Sequence, residues 1–249
     1  MKSVMTRNIA DDGSWRYTNA HERYPVEVNE VWSVGEHTFV CGDLQGPNRL
    51  QETLLQVEAE QGPTSLLYTD PPWNAGMAAS FRTKAGVTKR QVDMNDLFTA
   101  ILEPARSRGL LAFMEGGVKQ QAMVNGLVKS LGGYVGDNWD ITYYKKKPCF
   151  ILAADFRDEP VNDYPDLTGL DDDDTPRAVL EHYASAFGGS KLVVDPCGGR
   201  GLTTRTAAQC GWKAVTSELS PYRMAEAIDS VVKTIKQTTG ETVIPERKS

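Results

Sequence analysis

Apolar residues along this chain fall into short runs of strand character, separated by stretches with helical spacing. From Val31 to Cys41 the run VWSVGEHTFVC alternates and is rich in β-branched and aromatic residues, which predicts two short strands joined at Gly35. Leu50 to Glu60 carries Leu50, Leu54, Leu55 and Val57 at helical spacing, and Gly62-Pro63 ends it. SLLYT (65–69), GLLAFME (109–115), KLVVD (191–195) and KAVTSE (213–218) read as buried strands of a parallel sheet. Helices are expected over Met94–Arg106, over Val118–Leu131 with Gly132-Gly133 closing it, from a Thr175-Pro176 cap through Phe187, over Thr203–Gly211 and over Pro221–Gln237. Trp139–Tyr144 and Phe150–Ala154 read as an antiparallel pair around a turn at Lys147-Pro148. Ala75–Arg90 reads as a mobile loop, Arg157–Asp174 as an acidic surface loop, and the last dozen residues as a tail.

Strands alternating with helices imply an α/β fold with a doubly wound, mostly parallel sheet. The expected division is an N-terminal arm over 1–30, one catalytic domain over 31–238 and a tail over 239–249. In such sheets ligands sit beyond the carboxyl ends of the strands. The two unusual turns, after Thr69 and after Val194, fall at that edge.

Composition narrows the class. Hydrophobic residues at 40% and charged residues at 24% suit an ordinary globular core. No apolar stretch approaches the roughly 18 residues of a membrane span, and Met1–Trp15 lacks the apolar centre of a secretory signal. A cytoplasmic protein without membrane contact is expected. The four cysteines, Cys41, Cys149, Cys197 and Cys210, form no CxxC pair and read as reduced; with three scattered histidines, no metal site is expected. The net charge of −6 disfavours non-specific coating of nucleic acid but leaves room for a local basic face.

Chemistry concentrates at two places. The first is the strand ending in Asp195, then CGGRG, a helix, a further strand and Glu218. Glycines directly after a strand let backbone approach a ligand closely, and the helix start presents free amides. An acidic residue at the end of the next strand can accept both hydroxyls of a ribose. Asp195 would repel a phosphate, whereas a ligand with a sulfonium and an ammonium group suits it. The second place is Asp70-Pro71-Pro72-Trp73. Two prolines remove backbone donors and stiffen the chain. Asp70 and the Pro71 carbonyl can then accept hydrogen bonds from one NH₂ group, while Trp73 offers a face to a flat base. Without a ligand, the same residues make a rigid turn with a buried tryptophan.

Together these segments resemble the S-adenosylmethionine-dependent DNA amino-methyltransferases. DPPW with Asn74 resembles their motif IV, LVVDPCGGRGLTT their motif I, TSELSPYRMAEA motif II, and TPRAVLEHY motif X. CGDLQ resembles the Gly-Asp segment near the cofactor's adenosyl part. The catalytic motif precedes the cofactor motif, as in the β group, and the resemblance spans Val40 to Ser230. It implies a Rossmann-like methyltransferase fold with permuted motif order and S-adenosylmethionine as cofactor. The cofactor would meet Asp43, Asp70, Asp195, Pro196, Cys197, Gly199, Gly201, Thr203, Glu218 and Leu219. Asp70, Pro71, Pro72 and Trp73 would be catalytic. Two features depart from the family: it usually has phenylalanine at the position of Cys197, and it carries a sizeable target-recognition segment where this chain has only the acidic stretch from Cys149 to Thr175.

The implied reaction is methyl transfer to N6 of adenine in DNA. An opening aspartate resembles adenine-specific members, whereas cytosine-specific ones carry serine. RNA adenine methylation, N4-cytosine methylation and a silent nucleic-acid-binding subunit are the alternatives. Substrate contacts are expected from Trp73 and Asn74, and from cations able to meet phosphates: Arg82, Lys84, Lys89 and Arg90 after the catalytic motif, and Lys145, Lys146 and Lys147 further on. A homodimer, as in β-group relatives, would supply further grip on DNA.

Overall fold

The computed structural model describes residues 19–46, 49–87, 92–160, 162–186 and 190–248. The strands β1 (Val31–Val34), β2 (His37–Cys41), β3 (Leu66–Thr69), β4 (Leu111–Gly117), β5 (Tyr134–Tyr143), β6 (Lys147–Asp155), β7 (Leu192–Asp195), β8 (Lys213–Glu218) and β9 (Glu246–Lys248) form one nine-stranded sheet in the order β5-β6-β4-β3-β7-β8-β2-β1-β9. The centre, β4-β3-β7-β8-β2, is parallel throughout, and antiparallel pairs flank it on both sides. Each central strand is an unbroken run of buried side chains, as a strand covered on both faces requires.

Helices α2 (Leu50–Gln61), α3 (Ala75–Lys84), α4 (Met94–Arg108) and α5 (Gln121–Ser130) cover one face, where Leu54, Phe98, Ile101 and Val124 pack on Leu67, Val194 and Val215. On the other face lie α6 (Thr175–His182) and α7 (Leu202–Cys210), with Val179, Leu180 and Ala207 against Tyr68, Phe113 and Val193. Beside them α8 (Pro221–Thr239) and the short α1 (Asn19–Arg23) enclose Trp32, Val34 and Phe39. No helix among the described residues is long and apolar enough to cross a membrane.

The strands and long helices stand where the apolar pattern put them, but several connections do not. The segment 75–84, expected as a loop, is helix α3. Asn74 caps it by accepting a hydrogen bond from the Met77 N–H at 2.9 Å, and Ala78 anchors it in the core. The helix after Thr175 ends at His182, and its expected end, Phe187, lies outside the described residues. The expected tail contributes β9, which pairs with β1 and covers an open sheet edge. The acidic stretch is partly interior: Leu167 is buried, and Asp171 and Asp172 are 9% and 5% exposed. It runs along the β5 edge, with Thr142 N–H donating to the Leu170 carbonyl at 2.9 Å and Asp172 N–H to the Thr142 carbonyl at 2.8 Å.

The β5–β6 turn also differs. Lys147 and Pro148 belong to β6, opposite Tyr143 and Thr142, and the chain reverses at Tyr144 and Lys145. Both have positive φ, 51° and 56°, in a geometry ordinarily left to Asn-Gly. Each such residue costs about 1–2 kcal/mol. The buried aspartates offset this: Asp172 accepts the Tyr144 N–H at 3.0 Å and Asp171 the Lys145 N–H at 2.6 Å. Lys145→Gly should therefore raise stability by up to about 1 kcal/mol in urea unfolding. A loss instead would show that the lysine side chain, and not Asp171, holds the turn.

Candidate active site

The chain leaves β3 toward β4 in one direction and leaves β7 toward β8 in the other, so the crevice between β3 and β7 is the switch point of the sheet. A cavity of about 620 Å³, its open mouth included, lies there against the carboxyl ends of β2, β3, β7 and β8. Its wall carries Asp43, Asp70, Pro72, Arg82, Pro196, Cys197, Glu218 and Leu219 from the expected set, whereas Pro71, Trp73 and Asp195 do not line it. Phe81 of α3, Val92 before α4, Leu97 of α4 and Arg223 of α8 also line it.

The motif I turn is built by close packing. Asp195, 2% exposed, accepts the Cys197 N–H at 3.0 Å. Burial pushes its carboxyl up to about 7, against the hydrogen bonds of Thr203, Cys197 and Thr69. Gly199 and Gly201 have φ of 54° and 80°; neither they nor Thr203 line the cavity. Gly201 opens α7, where a Cβ would lie 3.0 Å from that of Ala227 on α8. Gly198 is tighter: a Cβ there would stand 1.8 Å from Thr216 Oγ1. Glu218 accepts the Ser220 N–H at 2.8 Å, and Gly42 N–H donates to the Glu218 carbonyl at 3.0 Å, joining the β2 and β8 ends. Burial raises the Glu218 carboxyl, and the Arg223 guanidinium opposes the rise.

Pro71 and Pro72 stop the β3 ladder and turn Asp70 into the cavity. Asp70 is open to solvent entering the cavity yet ringed by protein. That desolvation, with the charge of Asp172, brings its carboxyl up to about 6, against the Trp73 hydrogen bond and Arg223. Trp73 Nε1 donates to Asp70 Oδ1 at 3.0 Å, and the indole meets the Tyr143 ring edge-on at 5.0 Å. Gly117 leaves room for it, since a Cβ there would be 3.2 Å from Trp73 Cβ. Behind Asp70, Glu115 is 1% exposed and accepts hydrogen bonds from Tyr68 and Thr175; burial, then the charge of Asp70, hold it well above the usual carboxylate range.

Two of the expected substrate contacts are engaged within the protein. Asn74 spends its side-chain oxygen on the α3 cap. Arg82 is 6% exposed because its stretch is helical and turned inward; Nη1 and Nη2 hold Asp43 Oδ1 and Oδ2 at 2.9 and 2.5 Å, so it is not a surface phosphate contact. Lys84 is half-buried in the last turn of α3, whereas Lys145 and Lys146 are exposed at the β5–β6 tip. Lys89 and Arg90 lie outside the described residues. The described residues hold no group of three His, Cys, Asp or Glu suited to a metal ion.

No protein-family model and no curated protein matches this sequence. Solved structures do. TTHA0409 from Thermus thermophilus, described as a candidate DNA modification methylase and solved with S-adenosyl-L-methionine, matches at 17% identity over 83% of this chain and 96% of its own, with a TM-score of 0.51. M1.HpyAVI matches at 12% identity over 77% of this chain and 96% of its own, TM-score 0.46. The cytosine-N4-specific PvuII DNA methyltransferase matches at 12% over 73% and 88%, TM-score 0.45. The likeness to TTHA0409 establishes the fold: this chain has the Rossmann-like α/β fold of that protein.

The raised carboxylates tie stability to pH. A buried acid that ionises near 7 in the fold and near 4 in the unfolded chain contributes full stability below about pH 4 and loses it as pH rises toward 7. Asp195→Asn keeps an acceptor for Cys197 and removes the charge. It should raise the melting temperature of the ligand-free protein at pH 8, by the equivalent of a few kcal/mol at most. The gain should vanish toward pH 4; a pH-independent difference would mean that packing, not charge, is responsible.

Proposed function

We propose that this chain transfers a methyl group from S-adenosylmethionine to the N6 amine of adenine in DNA. The observation that carries this reading is a single cavity at the switch point lined both by Asp70 and Pro72 of the catalytic-motif turn and by Pro196, Cys197 and Glu218 of the nucleoside slot. The fold, and the S-adenosyl-L-methionine complex of TTHA0409, support the same cofactor. The residues fit it: Glu218 would accept the ribose hydroxyls, Asp43 would face the adenosyl part, and the carboxylates would favour the sulfonium and ammonium. Apolar Leu219, Phe81 and Val92 offer surface to a nucleoside base. When bound, S-adenosylmethionine supplies an electrophilic methyl group.

The remaining chemistry belongs to the chain. The exocyclic amine of adenine is a poor nucleophile because its lone pair is delocalised into the ring. Asp70 and the Pro71 carbonyl accept its two N–H groups, favour a pyramidal nitrogen and stabilise the positive charge that develops on it. Trp73, locked by Asp70 and Tyr143, presents a face on which the flipped-out base stacks. Proton loss from the methylated amine needs no strong base.

Transfer of labelled methyl to unmethylated DNA, followed by nucleoside mass analysis, should yield N6-methyldeoxyadenosine. N4-methylcytosine in its place would keep the mechanism and overturn the base. Asp70→Ala should lower turnover at least about 1,000-fold while cofactor affinity by calorimetry changes only a few-fold. A variant with near-normal turnover would end the mechanism.

Because Asp70 must be ionised to accept one N–H of the amine and to stabilise the positive charge that develops on it, and its carboxyl titrates near 6, kcat/KM should fall as pH drops below about 6. A profile flat to pH 4.5 would exclude Asp70 as the acceptor.

A further inference from the structure

An aromatic line runs from the catalytic carboxylate to the protein surface. Trp73 bonds Asp70, Tyr143 meets Trp73 at 5.0 Å, and Tyr144 meets Tyr143 at 4.3 Å between ring centroids. Tyr144 is 64% exposed at the tip of the β5–β6 hairpin, and Lys145, Lys146 and Lys147 follow it, all exposed. An exposed tyrosine at a turn tip contributes little to folding, and its positive φ works against the fold. The tip is nevertheless held firmly, since Asp171 and Asp172 fix its backbone from beneath. Those two acids face inward and are engaged with backbone amides, so the outward charge of the tip itself is positive.

We propose that this tip is a wedge for duplex DNA: Tyr144 fills the gap left in the base stack by the extruded target base, and the three lysines grip the flanking phosphates. The proposal rests on the reading of the site as DNA-directed. Extruding a base leaves an unstacked gap beside the base pocket, and a filler must stand at the mouth of that pocket. Tyr144 is exposed and one ring removed from Trp73, the ring on which the extruded base would stack. Its flat face suits any neighbouring bases, so the contact carries little sequence information. A rigid turn is needed because a flexible one would lose entropy on insertion.

The test uses fluorescence anisotropy with a labelled DNA duplex that is either intact or carries one central abasic site, a gap already open. The wild-type protein should bind the abasic duplex about tenfold more tightly, the scale of one base–aromatic stack. Tyr144→Ala should remove the preference and Tyr144→Phe should keep it. Lys145→Ala with Lys146→Ala should weaken both duplexes alike and lower the salt dependence by about one counterion per phosphate lost. No preference in the wild-type protein, or a preference that survives Tyr144→Ala, would overturn the wedge. A Tyr144-dependent preference without methyl transfer would uphold the wedge and sink the proposed reaction. Methyl transfer without the preference would do the reverse.

Discussion

Three acidic side chains, Asp70, Asp195 and Glu218, stand at the carboxyl ends of three neighbouring parallel strands, Asp70 and Glu218 lining one crevice and Asp195 buried beside it. Burial raises all three, and Asp70 raises Asp195 further. The guanidinium of Arg223 opposes the rise at Asp70 and Glu218, and Arg82 is committed to Asp43. A fold optimised for stability alone would place apolar or amide side chains here. Gathering desolvated carboxylates weakens the empty protein and leaves a site whose potential is complementary to a cation.

The surrounding structure holds these groups in place. Strands buried on both faces form a stiff platform, and each acid stands where a strand stops. The stops have different physical causes. After β3 two prolines cannot continue the ladder; after β7 the chain folds so tightly that Gly198 touches Thr216 and Gly201 touches Ala227. Behind Asp70, the Tyr68–Glu115–Thr175 network ties β3 and β4 to the first residue of α6. This arrangement links the segment resembling motif X to the catalytic turn through buried hydrogen bonds, which are strong where water is excluded.

Charge acts locally in this molecule. The chain is acidic overall, yet its acids are unevenly spent: some line the crevice, and Asp171 and Asp172 brace the hairpin that carries three lysines outward. The net charge therefore says little about the face presented to nucleic acid.

What the sequence determined by itself was the succession of most strands and long helices along the chain and the two turns, DPPW and CGGRG, at the carboxyl edge of the sheet. Buried parallel strands announce themselves as unbroken apolar runs, and proline and glycine act on the backbone at the place where they stand. DPPW and CGGRG were legible for that reason. The tertiary structure alone decided what depends on distant partners. Residues 75–84 are small and polar enough to read as loop, but a cap from Asn74 and packing by Ala78 make them helix. Arg82 reads as a surface cation until α3 brings it to Asp43, 39 residues away in the chain. Phe81 carries no local signal, because it acts through a cavity that exists only once the sheet has closed over it, and Glu115 none, because its partners Tyr68 and Thr175 are distant in the chain. The hairpin turn moved from Lys147-Pro148 to Tyr144-Lys145 because buried aspartates from another segment satisfy its amides, an exchange no local pattern encodes.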